Sequence, residues 1–120
     1  MGINVLVVDD DFINRKLLLT MLKKNDIVEN IVEAENGQDA LKKIESQKID
    51  LILLDIIMPI MDGIEFLKTI KENRVHSNIP IAILSTDDSK KTETLNLGAD
   101  AFLTKPIREA ELRNLIDIWF

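Results

Sequence analysis

Five short apolar runs, at residues 3–8, 31–34, 51–54, 81–84 and 101–104, alternate with amphipathic stretches along the whole chain. Runs of this length bounded by polar residues predict strands. The stretches between them carry helical spacing: Ile13, Leu17 and Met21, then Ala40, Leu41 and Ile44, then Phe66, Leu67 and Ile70. The last stretch offers Leu112, Leu115, Ile116 and Trp119. Alternating strands and helices predict an α/β fold with a doubly wound parallel sheet, because each crossover helix has to bury its apolar stripe against the sheet. The first, third and fourth runs are almost wholly apolar, as strands covered on both faces require, whereas Val32-Glu33-Ala34-Glu35 and the run between Asp100 and Thr104 read as edges. Right-handed crossovers then give the order 2-1-3-4-5, with a topological switch between the first and third strands and a ligand site at their carboxyl ends.

Length and charge narrow the function. A chain of 120 residues has room for one domain, so residues 1–120 are expected to form a single unit with no output domain. Its 15 Lys+Arg against 21 Asp+Glu give a net charge of −6 and no visible basic patch, which argues against direct nucleic-acid binding. The absence of Cys excludes thiolate metal sites and cysteine nucleophiles. No apolar run approaches the roughly 18 residues of a membrane span, and residues 3–8 are too short for a signal peptide, so a cytoplasmic protein without membrane insertion is expected. The glycines at 2, 37, 63 and 98 form no phosphate-cradling loop, with Gly37 suited to a turn and Gly98 to a helix C-terminus.

Four of the five strands deliver polar groups to the carboxyl edge: Asp9-Asp10-Asp11 after the first, Asp55 after the third, Ser85-Thr86 after the fourth and Lys105-Pro106 after the fifth. Asp11, just before a helix, reads as an N-cap, and Asp62 before Gly63 reads the same way. One cap cannot use three carboxylates. Like charges about 4 Å apart at an effective dielectric near 20 repel by roughly 4 kcal/mol per pair. If Asp10 faces Asp55, either one of them holds a proton or a cation lies between them, and a hard divalent ion such as Mg2+ suits an oxygen-only ligand set. Asp55, expected to be exposed at its strand tip, could then attack phosphorus as a nucleophile, with Lys105 supplying positive charge and Ser85 a hydroxyl donor. Blander readings exist for each partner: Lys105 as a solvated surface residue, Ser85 as a helix cap, Phe102 as core. His76 is the only histidine, stands in a loop without a Ser or Asp constellation, and is read as solvated.

These residues stand in motifs that resemble the response-regulator receiver domains of two-component signalling, and the resemblance spans the chain. The matching segments are Val7-Val8-Asp9-Asp10, Leu54-Asp55-Ile56-Ile57-Met58-Pro59-Ile60-Met61-Asp62-Gly63, Leu84-Ser85 and Gly98-Ala99-Asp100-Ala101-Phe102-Leu103-Thr104-Lys105-Pro106. The resemblance implies a flavodoxin-like, CheY-like (βα)5 fold and transfer of a phosphoryl group to Asp55 with magnesium. The donor would be the phosphohistidine of a sensor histidine kinase or phosphotransfer protein, or a small phosphodonor. It also implies that Asp10, Asp55 and the backbone carbonyl of Ile57 hold the ion, with Asp9 acting through water. Ser85 and Phe102 become the switch, and the face built by the fourth helix, fifth strand and fifth helix becomes the surface for an unknown downstream protein. The Lys105-Pro106 bond is cis in similar proteins. The helix after Ser85 is rich in poor helix formers, Thr92, Thr94 and Asn96, with Leu95 and Leu97 as its expected apolar anchors, which suits a bistable element. Ser85 stands where threonine is commoner. Ile57 and Asp87 occupy positions that in the family tune how quickly water attacks the phospho-aspartate.

Two rival readings share some of these residues. A haloacid-dehalogenase-like phosphatase would use Asp9 of Asp9-x-Asp11 as nucleophile, but needs an acidic pair at a strand end beyond the lysine. Here a helix with Glu109, Glu111 and Asp117 follows. A receiver-like module that binds partners without phosphorylation is disfavoured because every chemical position is filled.

Overall fold

The computed structural model describes residues 2–58 and 60–120, so Pro59 of the second matching segment lies outside the described residues. Strands β1 (Ile3–Val8), β2 (Val28–Ala34), β3 (Leu51–Asp55), β4 (Ile81–Ser85) and β5 (Ala101–Thr104) pair in parallel in the order β2-β1-β3-β4-β5. Between and after them run α1 (Phe12–Lys23), α2 (Gly37–Ser46), α3 (Gly63–Glu72), a 3-10 turn Asp88–Lys90 leading into α4 (Lys91–Asn96), and α5 (Glu109–Trp119). This is the expected doubly wound α/β fold. Among the described residues no helix is long and apolar enough to cross a membrane.

The pleat divides the central strands between two cores. Leu6, Val8, Ile52, Leu54, Ile81 and Ile83 pack with Ala40, Ile44, Phe66, Leu67 and Ile70 of α2 and α3. Val5, Val7, Leu51, Leu53, Ala82 and Leu84 pack on the other face with Leu18, Leu22, Leu112, Leu115 and Ile116 of α1 and α5. Both faces are covered, which explains why these strands lack the polar alternation of a half-exposed sheet.

Where structure and sequence pattern differ, packing has made a choice that periodicity leaves open. Helix α1 carries two apolar stripes. The structure buries Leu18 and Leu22 and leaves Ile13 at 63% and Leu17 at 56% exposure, so the Ile13-Leu17-Met21 stripe is not the core face. In α4 the expected anchor Leu95 points outward, and Thr94 is the buried residue; its hydroxyl donates to the Lys90 carbonyl at 2.9 Å, which satisfies the polar group it brings into the core. Leu97 packs on the core as expected. Strand β2 begins at Val28, three residues before the apolar run, because an edge strand can carry Glu29 and Asn30 outward while its backbone pairs with β1. Gly37 opens α2 rather than sitting in a turn, and Gly98 follows α4 with a left-handed φ of +111°, where glycine avoids the Cβ clash.

Candidate functional site

The pleat that sorts the core also aims the polar residues. In β3 and just past the ends of β1 and β5, Asp55, Asp9 and Lys105 keep the parity of Leu53, Val7 and Leu103, whose side chains face α1 and α5. Ser85 and Phe102 keep the parity of Ile83 and lie toward the opposite face, where Phe102 packs half-buried on the core. The backbone extends this order beyond the strands. The Asp9 N–H donates to the Ala34 carbonyl at 3.1 Å, and the Lys105 N–H donates to the Ser85 carbonyl at 2.8 Å.

The three sequence-predicted acids meet. One carboxylate oxygen from each of Asp9, Asp10 and Asp55 lies within 4.8 Å of the others. The Lys105 ammonium donates to Asp9 Oδ2 and Asp55 Oδ1, 3.2 Å from each. Asp9 is buried at 1% exposure and has both oxygens engaged, since Oδ1 accepts the Asp11 N–H at 2.9 Å. Asp10 is exposed. Asp55 is 8% exposed, not open at its strand tip as expected, and Ile56 and Met58 after it are buried as well. Asp11 and Asp62 cap α1 and α3. Ser85 does not cap a helix: its buried Oγ accepts the Asp87 N–H at 3.0 Å, while Asp87 caps the 3-10 turn. His76 is half-buried in the turn after α3 and takes no part. The Lys105-Pro106 bond is cis.

Electrostatics follow from this crowding. Burial raises the Asp55 carboxyl above the ordinary carboxylate range, and the charges of Asp9 and Asp10 push the same way against the lowering pull of Lys105. Burial alone would lower the Lys105 ammonium, but the Asp55 and Asp9 carboxylates hold it above the usual lysine value. Three carboxylates against one ammonium leave an excess of negative charge, and a hard cation fits such a set. Ile57 stands two residues past Asp55 with its side chain exposed.

One further shaping residue carries little signal in the sequence. A Cβ on Gly63 would collide with the Asp55 carbonyl oxygen and with Ile56 Cα. The missing side chain lets α3 start directly against the Asp55 backbone, where the Gly63 N–H donates to the Ile56 carbonyl at 2.7 Å. The sequence pattern marks the position only as a helix start.

Residues 5–117 match the family described as response regulator receiver domain. The chain is 44% identical over 119 residues to a protein-glutamate methylesterase/protein-glutamine glutaminase of Clostridium acetobutylicum, covering 96% of this chain and 34% of that protein. It thus spans about a third of that relative's length. The structure superposes on chemotaxis protein CheY4 of Vibrio cholerae with a TM-score of 0.89 at 29% identity, covering both chains fully. It also matches the receiver domain of a sensor histidine kinase from Pseudomonas aeruginosa, solved with a magnesium ion coordinated in its active site cleft. There the TM-score is 0.87 at 25% identity, over 99% of this chain and 98% of that one.

Proposed function

The chain belongs to the response regulator receiver domain family of two-component signalling, and on that footing we propose that Asp55 accepts a phosphoryl group and thereby switches a partner-binding face. The observation that carries this reading is the Lys105 ammonium 3.2 Å from both Asp9 and Asp55, with Asp10 completing the acidic cluster. Asp55 is the better nucleophile of the two buried acids. Both oxygens of Asp9 are held by hydrogen bonds, whereas Asp55 commits only Oδ1 among the described residues. That contrast counts against a phosphatase using Asp9, and so does the passage after Lys105 straight into α5.

Asp10, Asp55 and the Ile57 carbonyl would hold Mg2+ directly, with Asp9 reaching it through water. When bound, magnesium supplies the charge that lets carboxylates and phosphoryl oxygens share the cleft. A carboxylate oxygen of Asp55 forms the new bond to phosphorus as the bond to the donor's histidine nitrogen breaks. Lys105 pairs with a phosphoryl oxygen. Ser85 keeps accepting the Asp87 N–H while its own proton is free to be donated to the phosphoryl group. Movement of Ser85 toward that group opens space on the face it shares with Phe102, whose ring swings inward. The change is read on the face of α4, β5 and α5 by a downstream protein.

The donor is a sensor histidine kinase or phosphotransfer protein. Leu17 lies exposed on α1 and lines a groove of about 350 Å³ that is walled by Met21, Leu84 and Ile107 and reaches Asp9 and Lys105. An apolar helix seated there would bring a phosphohistidine to the acids. In this role residues 1–120 act as one receiver domain in the cytoplasm, without direct contact to nucleic acid.

Incubation with acetyl phosphate and Mg2+, followed by intact mass, tests the reading. Wild type and Asp9→Asn are expected to gain one phosphoryl group, the variant more slowly, and Asp55→Asn none. A stable phosphoryl group on Asp55→Asn, or none on wild type, contradicts the proposal.

A further inference from the structure

Beside the acidic cluster, on the first turns of α1, Arg15 is 13% exposed and reaches two elements at once. Its Nη1 donates to the Asp9 backbone carbonyl at 2.6 Å, and its Nε donates to Glu33 Oε1 on β2 at 3.2 Å. Glu33 is also paired with Lys16, at 3.1 Å. Burial by itself would raise the Glu33 carboxyl, but hydrogen bonds from Lys16 and Arg15 and their charges hold it below its ordinary value, so it stays an anion that anchors the guanidinium. The Phe12 ring lies 5.8 Å from the Arg15 guanidinium and 5.0 Å from the Lys16 ammonium, which adds a cation–π contact to each.

The contact to Asp9 matters because of what the peptide bond transmits. The Asp9 carbonyl and the Asp10 N–H lie in one rigid plane. The Asp9 N–H is already held by the Ala34 carbonyl, so Arg15 fixes the other side of the same residue. With both peptide planes of Asp9 oriented, Asp10 leaves the strand in a direction that, though exposed, brings one of its carboxylate oxygens within 4.8 Å of one on Asp55. We infer that Arg15, locked by Glu33, is a positioning residue that holds the Asp9–Asp10 peptide in the geometry a divalent cation requires. Glu33 faces two cations, Arg15 and Lys16, so Lys16 matches Arg15 in charge but not in the contact to Asp9. A lysine could reach Glu33 or the carbonyl with its single ammonium, whereas the planar fork of arginine serves both.

This inference rests on the magnesium reading above, and the test separates the two. Mn2+ affinity is measured by electron paramagnetic resonance on the full chain, at a temperature where each variant is folded by circular dichroism. Wild type is expected to bind Mn2+; no binding by wild type would defeat the metal reading itself. Arg15→Met is expected to bind about tenfold more weakly, the lower end of losses when an outer-shell partner of a metal ligand is removed. Lys16→Met removes the other Glu33 partner and the other Phe12 contact without touching Asp9, and its affinity is expected to stay within about twofold of wild type. A loss below threefold in Arg15→Met, or an equal loss in Lys16→Met, overturns the assignment. Should Arg15→Met not remain folded, Arg15→Lys decides: a loss of threefold or more supports the role, and a smaller one overturns it.

Discussion

At the amino ends of the strands, Asp50 and Asp100 each close a reciprocal pair of hydrogen bonds with a neighbouring strand. The Asp50 N–H donates to the Asn4 carbonyl and the Asn4 N–H to Asp50 Oδ2, both at 2.8 Å. Asp100 repeats the arrangement with Ile81, at 2.8 Å and 2.9 Å. At the carboxyl ends the same residue type is placed differently: Asp9, Asp10 and Asp55 face one another, and Asp9 and Asp55 share one ammonium. An aspartate paired reciprocally with the backbone of a neighbouring strand completes a strand start and is finished. Aspartates set against each other hold the native state at a higher free energy, which a ligand can lower. The contrast separates structural from functional acids by their partners, where residue type and position at a strand end do not.

Removing the shared ammonium should widen this contrast most. Lys105→Met leaves two buried carboxylates without their cation and is expected to cost about 3 kcal/mol in metal-free solution, the range for breaking a buried pair from one side. Saturating Mg2+ is expected to restore much of that loss, because an ion that binds only the folded state stabilises it. Chemical denaturation with EDTA and with Mg2+ checks both statements, and a variant as stable as wild type in EDTA would mean the acids do not strain one another. At the other end, Asp100→Ala strips the acceptor from the buried Ile81 N–H and is expected to cost about 1.5 kcal/mol. Mg2+ should not alter that figure; an Mg2+-dependent loss would erase the distinction between the two ends.

How much of this was legible in the sequence depends on the range of the signal. Sheet order was readable because β1, β3 and β4 are buried on both faces and therefore uninterrupted by charge, while the polar residues of β2 and the flanks of β5 mark edges. Asp9, Asp10, Asp55 and Lys105 stood out because strand ends are where a parallel sheet collects ligands. The direction of α1 was not readable: Ile13-Leu17-Met21 and Leu18-Leu22 are both apolar at helical spacing, and only contact with β1 and β3 selects the second. Arg15 was silent for a different reason. Beside Lys16 on a helix it looks like a solvated charge, and its bond to the Asp9 carbonyl uses a backbone atom that every residue possesses. Gly63 likewise acts through a side chain it lacks. Bonds such as Lys105 to Asp9, 96 residues apart, follow only once the strand order is known.

The same substitution at the two ends should give effects of different kind. Asp100→Asn keeps the oxygen that accepts the Ile81 N–H, so stability is expected to stay within about 0.5 kcal/mol of wild type. Asp55→Asn removes a carboxylate that the fold holds in protonated form more readily than the unfolded chain does. Ionising Asp55 therefore costs the native state stability. That cost is absent below the ordinary carboxylate range, where folded and unfolded chains both carry the proton, and it is complete once pH exceeds the raised native value. Asparagine never ionises. At neutral pH without metal, Asp55→Asn is expected to be more stable by about 1 kcal/mol, or about 4 °C in Tm for a chain of this size. The gain should shrink as pH falls through the carboxylate range, because wild type then sheds the same charge by protonation. Thermal unfolding at a series of pH values in EDTA measures it. A gain that is constant with pH would assign the effect to packing, and a loss would show that Lys105 compensates Asp55 fully, making the carboxyl-end acids as settled as Asp100.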